Sequence, residues 1–115
     1  MTDVVVILTT VPDAEAADTI ARTLVEEQLA ACVNILPPMT SFYRWQGAVE
    51  RETEQQLVIK TIRARVPAVQ SRISEIHPYE LPEFVVFAVV DGSTGYLEWI
   101  IKETSAGLPD AGGTR

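Results

Sequence analysis

Two side chains of the kinds that bind transition metals occur once each in this chain, His77 and Cys32. Imidazole and thiolate are ligands that copper and zinc favour, but a metal site in a protein normally needs three or four donors. Neither residue has a second donor at ligand spacing. A lone histidine in the position of His77 more often caps the end of its helix, and a lone cysteine such as Cys32 is more often a small core residue. Both remain candidate metal ligands.

Aromatic and charged side chains alternate along a predicted β-hairpin. Ser41, Tyr43 and Trp45 fall on one side of its first strand, and Glu54 and Lys60 share one side of its second strand. Aromatic residues of this kind are enriched where subunits meet, and they also stack on ligands. Glu54 and Lys60 are ordinarily part of an exposed or interfacial ion-pair set. The pattern leaves open both a subunit interface and a ligand-binding surface.

The sequence contains none of the patterns that identify common enzyme classes. It has no Ser-His-Asp or Cys-His constellation, no Gly-rich phosphate-binding loop and no cysteine spacing typical of zinc sites. We therefore predict a protein without catalytic activity and without an organic cofactor.

The charge of the chain argues against nucleic acid as a partner. Sixteen acidic and nine basic residues give a net charge of −7, and the basic residues are scattered. No stretch approaches the roughly 20 apolar residues of a membrane-spanning helix, so no membrane association is expected. The first residues lack the basic start of a signal peptide, and a single cysteine allows no intrachain disulfide. A cytoplasmic location is the simplest expectation.

Hydrophobic periodicity predicts alternating strands and helices. The β-branched run Val4–Val11 predicts a strand, and Asp13 is a suitable N-cap for a helix that reaches about Ala31. The Pro37-Pro38 pair predicts a bend in the second strand. The remaining predicted elements are strands at Cys32–Leu36, Thr40–Val49, Gln55–Thr61 and Phe84–Val90, and helices at Ala64–Ile76 and Gly95–Glu103.

This order, β-α-β-β-α-β with a further C-terminal helix, is typical of an α+β, ferredoxin-like sandwich. We predict a single domain over residues 1–106 and a flexible tail over 107–115. The first and last strands are apolar on both faces, yet two helices can cover only one face of the sheet. The second face is expected to be buried against further copies of the chain in a closed cyclic oligomer.

Five motifs in the same order resemble those of the CutA family of divalent-cation tolerance proteins, over about Val4 to Ile101. They are Leu29-Ala30-Ala31-Cys32-Val33-Asn34-Ile35, Ser41-x-Tyr43-x-Trp45-x-Gly47, Ile59-Lys60-Thr61, His77-Pro78-Tyr79-Glu80-x-Pro82-Glu83 and Tyr96-Leu97-x-Trp99. The resemblance implies a tight homotrimer with its sheets inward and its helices outward. It also implies a link to copper and other divalent metals, and an architecture akin to PII-like signalling proteins.

The resemblance further implies that an unidentified small ligand binds in clefts between subunits. By position, the candidate cleft residues are Tyr43, Trp45, Glu54, Lys60, Tyr79 and Glu83, and His77 is a possible contributor. Copper ligation proposed in the family uses a cysteine late in the first strand and a His-His pair before Pro-Tyr. This chain has Thr9, Ile76 and His77 there, so we expect weak binding of copper or another divalent cation at His77, with little contribution from Cys32.

Three functions compete at this point. The first is a trimeric metal- or ligand-binding module of the signalling type, which responds to metal ions. The second is a passive trimeric scaffold for another protein, and the third is an enzyme like the acylphosphatases, which share the β-α-β-β-α-β order.

We predict that this chain does not hydrolyse acyl phosphates. Acylphosphatases hold the phosphate with an Arg and an Asn around their first loop, whereas the loop Val11-Pro12-Asp13 supplies neither. An acyl phosphate incubated with the purified protein should decay at the rate of the buffer control. Faster hydrolysis that a single substitution abolishes would contradict the prediction.

Overall fold

The computed structural model of this chain describes residues 2–108, which form an α+β protein with an antiparallel sheet and three helices. A 3-10 turn at Arg63–Arg65 precedes the second helix. The elements are β1 Val4–Val11, α1 Ala14–Glu26, β2 Cys32–Ile35, β3 Met39–Trp45, β4 Ala48–Ile62, α2 Val66–Ile76, β5 Val85–Ala88 and α3 Thr94–Thr104. Of the predicted tail, residues 109–115 lie outside the described part. No helix within 2–108 is long and apolar enough to cross a membrane.

The sheet has the order β2-β4-β1-β5, and every neighbouring pair is antiparallel. β1 lies inside the sheet, where Ile7 pairs with Ile59 of β4 and with Val86 of β5. Directly paired residues point to the same side of a sheet. The buried Ile7 and Ile59 therefore define the side on which the core lies.

Helices α1 and α2 cover this side of the sheet. Asp13 begins α1 as predicted, because its Oδ1 accepts a hydrogen bond of 2.9 Å from the Ala16 amide. Pro67 stands in the first turn of α2, where its missing N–H costs nothing. The buried core residues are Val5, Ile7, Val11, Ala17, Ile20, Leu24, Ala30, Leu57, Ile59, Val69 and Ile73.

The first helix is shorter than the sequence predicted. It ends at Glu26 rather than near Ala31, because Gln28 adopts a left-handed conformation with φ of 59°. The amides of Leu29 and Ala30 both donate to the Leu24 carbonyl, which closes the last turn. A non-glycine residue at positive φ leaves no signal in the hydrophobic pattern that gave the longer prediction.

Strand β4 is much longer than predicted, since it starts at Ala48 and not at Gln55. Its second half pairs with β1 and β2, whereas residues 48–54 pair, among the residues that the structure describes, only with β3. We call β3, the turn Gln46-Gly47 and residues 48–54 of β4 the arm. The arm extends beyond the sheet, and the chain accordingly reaches 54 Å in its longest dimension.

The side of the sheet opposite α1 and α2, which we call the open face, is covered only in part by residues 2–108. Helix α3 packs on one end of it, where Ile100 contacts the buried Val4 and Ile62. Beyond α3, Val85 and Phe87 of β5 stand on the open face with exposed fractions of 45% and 51%. The strand predicted at Phe84–Val90 is reduced to Val85–Ala88, and all four of its residues are exposed in the single chain.

We predict opposite effects of alanine at two glycines. Gly47 has φ of +84° in the turn of the arm, so Gly47→Ala should lower the free energy of unfolding by about 1 kcal/mol. Gly95 lies in the first turn of α3 with open space around it, so Gly95→Ala should raise that free energy by up to about 1 kcal/mol. Urea unfolding of both variants measures the difference. Equal effects would contradict the positive-φ turn.

Candidate functional site

A cavity of about 800 Å³ opens where the base of the arm meets the segment that follows α2. We call this cavity the cleft. β3 and β4 supply one wall, and the chain from Pro78 to Glu83 supplies the other. The residues that line it are Thr10, Met39, Ser41, Phe42, Tyr43, Trp45, Glu54, Gln56, Pro78, Tyr79, Glu80, Leu81, Pro82 and Glu83.

His77 fastens the Pro78–Glu83 segment to the end of β1. Its Nδ1 accepts a hydrogen bond of 3.0 Å from the Tyr79 amide, so the ring proton resides on Nε2, which donates to the Thr10 carbonyl at 2.8 Å. The imidazole is only 8% exposed, and burial lowers its pKa despite the opposing effects of the Thr10 bond and the Glu54 carboxylate. A neutral imidazole satisfies both backbone groups, whereas an imidazolium could not accept from Tyr79.

Glu54 and Tyr79 join the two walls of the cleft. The Tyr79 hydroxyl donates to Glu54 Oε2 at 2.6 Å, and Glu54 is 93% buried, with only 7% exposed. Burial, followed by the bond to the Glu54 carboxylate, raises the pKa of Tyr79 well above its ordinary value. The phenol therefore remains a donor throughout the neutral range, and the short charge-assisted bond fixes both side chains.

Gln56 makes a second link between the walls. Its Nε2 donates to the Thr9 carbonyl at 2.8 Å and to Glu83 Oε2 at 3.1 Å. Gln56 follows Glu54 on the same side of β4, so both residues project into the cleft. The pair Glu54 and Gln56 thus holds Tyr79 and Glu83 in place, one partner each.

Tyr43 and Trp45 stand at the outer part of the cleft on β3. They retain exposed fractions of 38% and 39%, which is high for such large rings. Burial, followed by the carboxylates of Glu52, Glu54 and Glu50, raises the pKa of Tyr43. The aromatic wall therefore lies in a negative electrostatic field.

The structure brings five of the six predicted cleft residues together, and it places the sixth elsewhere in the chain. Lys60 is absent from the cleft lining; its Nζ donates to the Tyr96 hydroxyl at 3.3 Å and lies 5.7 Å from the centre of that ring. Lys60 therefore connects the open face to α3. Whether a neighbouring subunit completes the cleft stays a prediction.

The two candidate metal ligands do not meet within one chain. Cys32 pairs with Lys60, which pairs with Val6, whereas His77 is bonded to Thr10. Val6 and Thr10 are four positions apart on β1, or about 13 Å along the strand. Both ring nitrogens of His77 are already bonded to the backbone. A metal ion would have to displace one of those bonds.

The other acidic residues do not remedy this shortage of donors. In the described chain, 2–108, no three His, Cys, Asp or Glu side chains are grouped so that they could hold a metal ion. The residues of one chain therefore do not fit a closed copper or zinc site, which needs three or four donors. Weak binding at His77 stays a prediction.

Several cleft residues were not identified from the sequence. Gln56 could have been found, because it shares the side of Glu54 on β4. Met39 and Phe42 could not, since one precedes the predicted strand and the other was assigned to the opposite face of β3. Thr10 enters the cleft because of a tertiary contact with His77 that is 67 residues distant in sequence.

Comparisons with known proteins identify the chain's relatives. The family model "CutA1 divalent ion tolerance protein" matches residues 5–103. The Divalent-cation tolerance protein CutA of Thermus thermophilus is 48% identical over 99 residues, which cover 86% of this chain and 96% of the relative. The Homo sapiens Protein CutA is 40% identical over 97 residues, which cover 84% of this chain but only 54% of the human protein. This chain thus spans about half the length of the human relative.

Comparison with solved structures also finds CutA proteins. The crystal structure of CutA from Xylella fastidiosa superimposes with a TM-score of 0.87 at 47% sequence identity. The match covers 90% of this chain and 99% of the other.

We predict that His77 makes the protein less stable in mild acid. Its pKa is lowered in the folded state, so the unfolded chain binds the proton first as the pH falls below 6.5, the ordinary value. The stabilisation is complete above pH 6.5 and is lost as the pH falls towards the lowered pKa, at no more than about 1.4 kcal/mol per pH unit. Urea unfolding between pH 7.5 and 5.5 measures this slope.

The control is His77→Gln, which retains a donor and an acceptor but does not titrate. Because His77 is the only histidine, the slope over this range should be markedly flatter in the variant. Equal slopes would contradict a buried neutral imidazole.

Proposed function

The chain belongs to the CutA1 divalent ion tolerance family, and on that premise we propose that it serves in the tolerance of divalent cations, copper foremost, as a trimeric metal- or ligand-binding module. In this proposal three ferredoxin-like subunits place their sheets inward and their helices outward. The module acts in the cytoplasm and responds to metal ions by binding, in the manner of a signalling protein, and performs no catalysis.

The observation that carries the proposed assembly is the open face. Val85 and Phe87 expose apolar side chains beside Val6 and Leu8, which are half-buried and share their side of the sheet. An apolar surface of this kind is uncommon on a monomeric protein. Burial against neighbouring sheets removes it from water, and a closed ring of subunits leaves no copy of it exposed.

The arm supports the same assembly. Within the described residues, β3 pairs with one edge of the 48–54 segment of β4, and no strand pairs with the other edge. A free edge is a ready site for another strand. A neighbouring subunit that adds a strand there would also lie close to the cleft, since Glu54 and Trp45 belong to the arm.

The same geometry supports a responsive role over a passive one. The cleft is preformed, because the Glu54–Tyr79 and Gln56–Glu83 bonds fix its walls. A scaffold protein has no need for a cavity of about 800 Å³ with buried polar groups aligned into it. We accordingly favour ligand or metal binding as the molecular basis of tolerance.

We predict a trimer in solution that an acidic substitution on the open face disrupts. Light scattering coupled to size exclusion should give three times the chain mass at micromolar concentration. Phe87→Glu should shift the mass to that of a single chain, because an unpaired carboxylate in an apolar interface is unfavourable. Val25→Glu is the control: Val25 is similarly exposed, at 42%, but lies on the outer helix α1. A wild-type monomer would contradict the assembly.

The role in tolerance is tested in cells. A bacterial strain that lacks its own family member should regain growth on copper when it expresses this chain, and Phe87→Glu should fail to restore it. Restoration by a monomeric variant would separate tolerance from the assembly. No restoration by the wild-type chain would contradict the proposed role.

A further inference from the structure

We propose that the cleft binds an organic cation, a primary ammonium or guanidinium group carried on a hydrophobic body. This inference rests on the proposed function in that it names the class of small ligand for the same cleft. Its basis is the combination of carboxylates and aromatic rings around one cavity.

Every charged residue in the cleft lining is acidic. Among the described residues, Glu54, Glu80 and Glu83 line the cavity and no lysine, arginine or histidine does. Lys60 projects away towards Tyr96, and the His77 ring lies behind Tyr79 with both nitrogens bonded to the backbone. A positively charged ligand therefore meets no repulsion, whereas an anion would face three carboxylates.

The arm extends the same sign of charge outwards. Alternation places Glu50, Glu52 and Glu54 on the side of β4 that faces the cleft. Their cross-strand partners on β3, which share this side, are Tyr43, Ser41 and Met39 respectively. The two arginines of the arm, Arg44 and Arg51, alternate onto the reverse side. Arg51 lies 5.7 Å from the centre of the Phe42 ring, which also borders the cleft. The separation of charges between the two faces raises the local concentration of a cation on the cleft side.

The aromatic rings suit the rest of such a ligand. Tyr43 and Trp45 stay partly exposed on one wall, and Tyr79 stands on the other. The faces of these rings attract cations and pack against hydrocarbon, and the attraction is greatest for Trp. Leu81, which is 72% exposed, adds an apolar contact at the rim.

Acceptor atoms remain for the N–H groups of the cation. Tyr79 occupies Oε2 of Glu54, and Gln56 occupies Oε2 of Glu83. Within residues 2–108 no hydrogen bond engages Oε1 of either carboxylate. Each side chain is thus held by one oxygen and offers the other, the arrangement that a charge-assisted hydrogen bond to an ammonium or guanidinium requires.

A bare metal ion fits the same features less well. Divalent transition metals need three or four donors at about 2.0–2.3 Å, and the described chain has no such group of side chains. Aromatic walls and a volume of about 800 Å³ would also leave most of the cavity unused by one ion. The size of the cavity matches that of small-molecule sites.

The test is a series of three probes that share a phenyl body and differ in charge. Phenethylammonium, 2-phenylethanol and 3-phenylpropionate are titrated calorimetrically into the assembled wild-type protein at pH 7 and low salt. We expect phenethylammonium to bind at least about ten-fold more tightly than the alcohol, and the carboxylate to show no binding. The preference should shrink as salt is added, because Glu80 and Glu83, unlike the buried Glu54, are accessible to solvent and are therefore screened.

Two substitutions locate the site. Glu83→Gln keeps an acceptor for Gln56 but removes one charge, and it should weaken phenethylammonium several-fold while it leaves the alcohol unchanged. Glu98→Gln, at an exposed position of α3 outside the cleft, is the matched control and should change nothing. Trp45→Leu should weaken the cation, whereas Trp99→Leu on α3 should not. Thermal unfolding verifies that all four variants are folded.

Several outcomes would overturn the proposal. These are equal binding of the cation and the alcohol, tighter binding of 3-phenylpropionate, no binding of phenethylammonium at millimolar concentration, and loss of binding in Glu98→Gln but not in Glu83→Gln. The oligomer and growth measurements test the proposed function, and their outcomes are independent of the binding measurements that test this inference. A monomer that prefers the cation would leave this inference standing without the trimer, and a copper-tolerant trimer without that preference would leave the proposed function without its ligand class.

Discussion

One strand, β4, belongs both to the sheet and to the arm, and the rest of the architecture depends on this double role. It has 15 residues, whereas β1, its partner in the sheet, has eight. The surplus has to project beyond the sheet as the arm. On the other edge of β4 the partner changes from β2 to β3, and Pro37-Pro38 lies at this change because proline cannot donate to either ladder. The cleft forms at the same junction.

Most of the sheet and helices could be predicted from the sequence, because burial on one side imposes a period. The apolar run of β1 and the cap at Asp13 are such local signals. The first half of β4 carries no such local signal. Its residues 48–54, Ala-Val-Glu-Arg-Glu-Thr-Glu, meet solvent on most sides, so the alternation typical of a half-buried strand is replaced by alternation of charge. The end of α1 was missed because a left-handed Gln28 belongs to no period at all.

The candidate site was predictable only as a set of residue types. Strand alternation groups Tyr43 with Trp45, since side-chain direction along a strand is a local property. The bond from His77 to the Thr10 carbonyl is a long-range contact, and no periodicity encodes it. Alternation alone also groups Lys60 with the cleft, because Lys60 and Glu54 share a side of β4. Its six-residue distance along β4 takes it to the far end of the sheet, beside Tyr96.

The alternation that gives the arm an acidic and a basic face also limits how its length can change over evolution. Deletion or insertion of a single residue in the 48–54 segment would reverse the direction of every side chain between it and the turn. Glu50 would then point away from the cleft, and Arg51 would point towards it. Changes of two residues preserve the faces. Natural insertions and deletions in this part of the chain should therefore occur in even numbers, or together with a β-bulge that absorbs the odd residue.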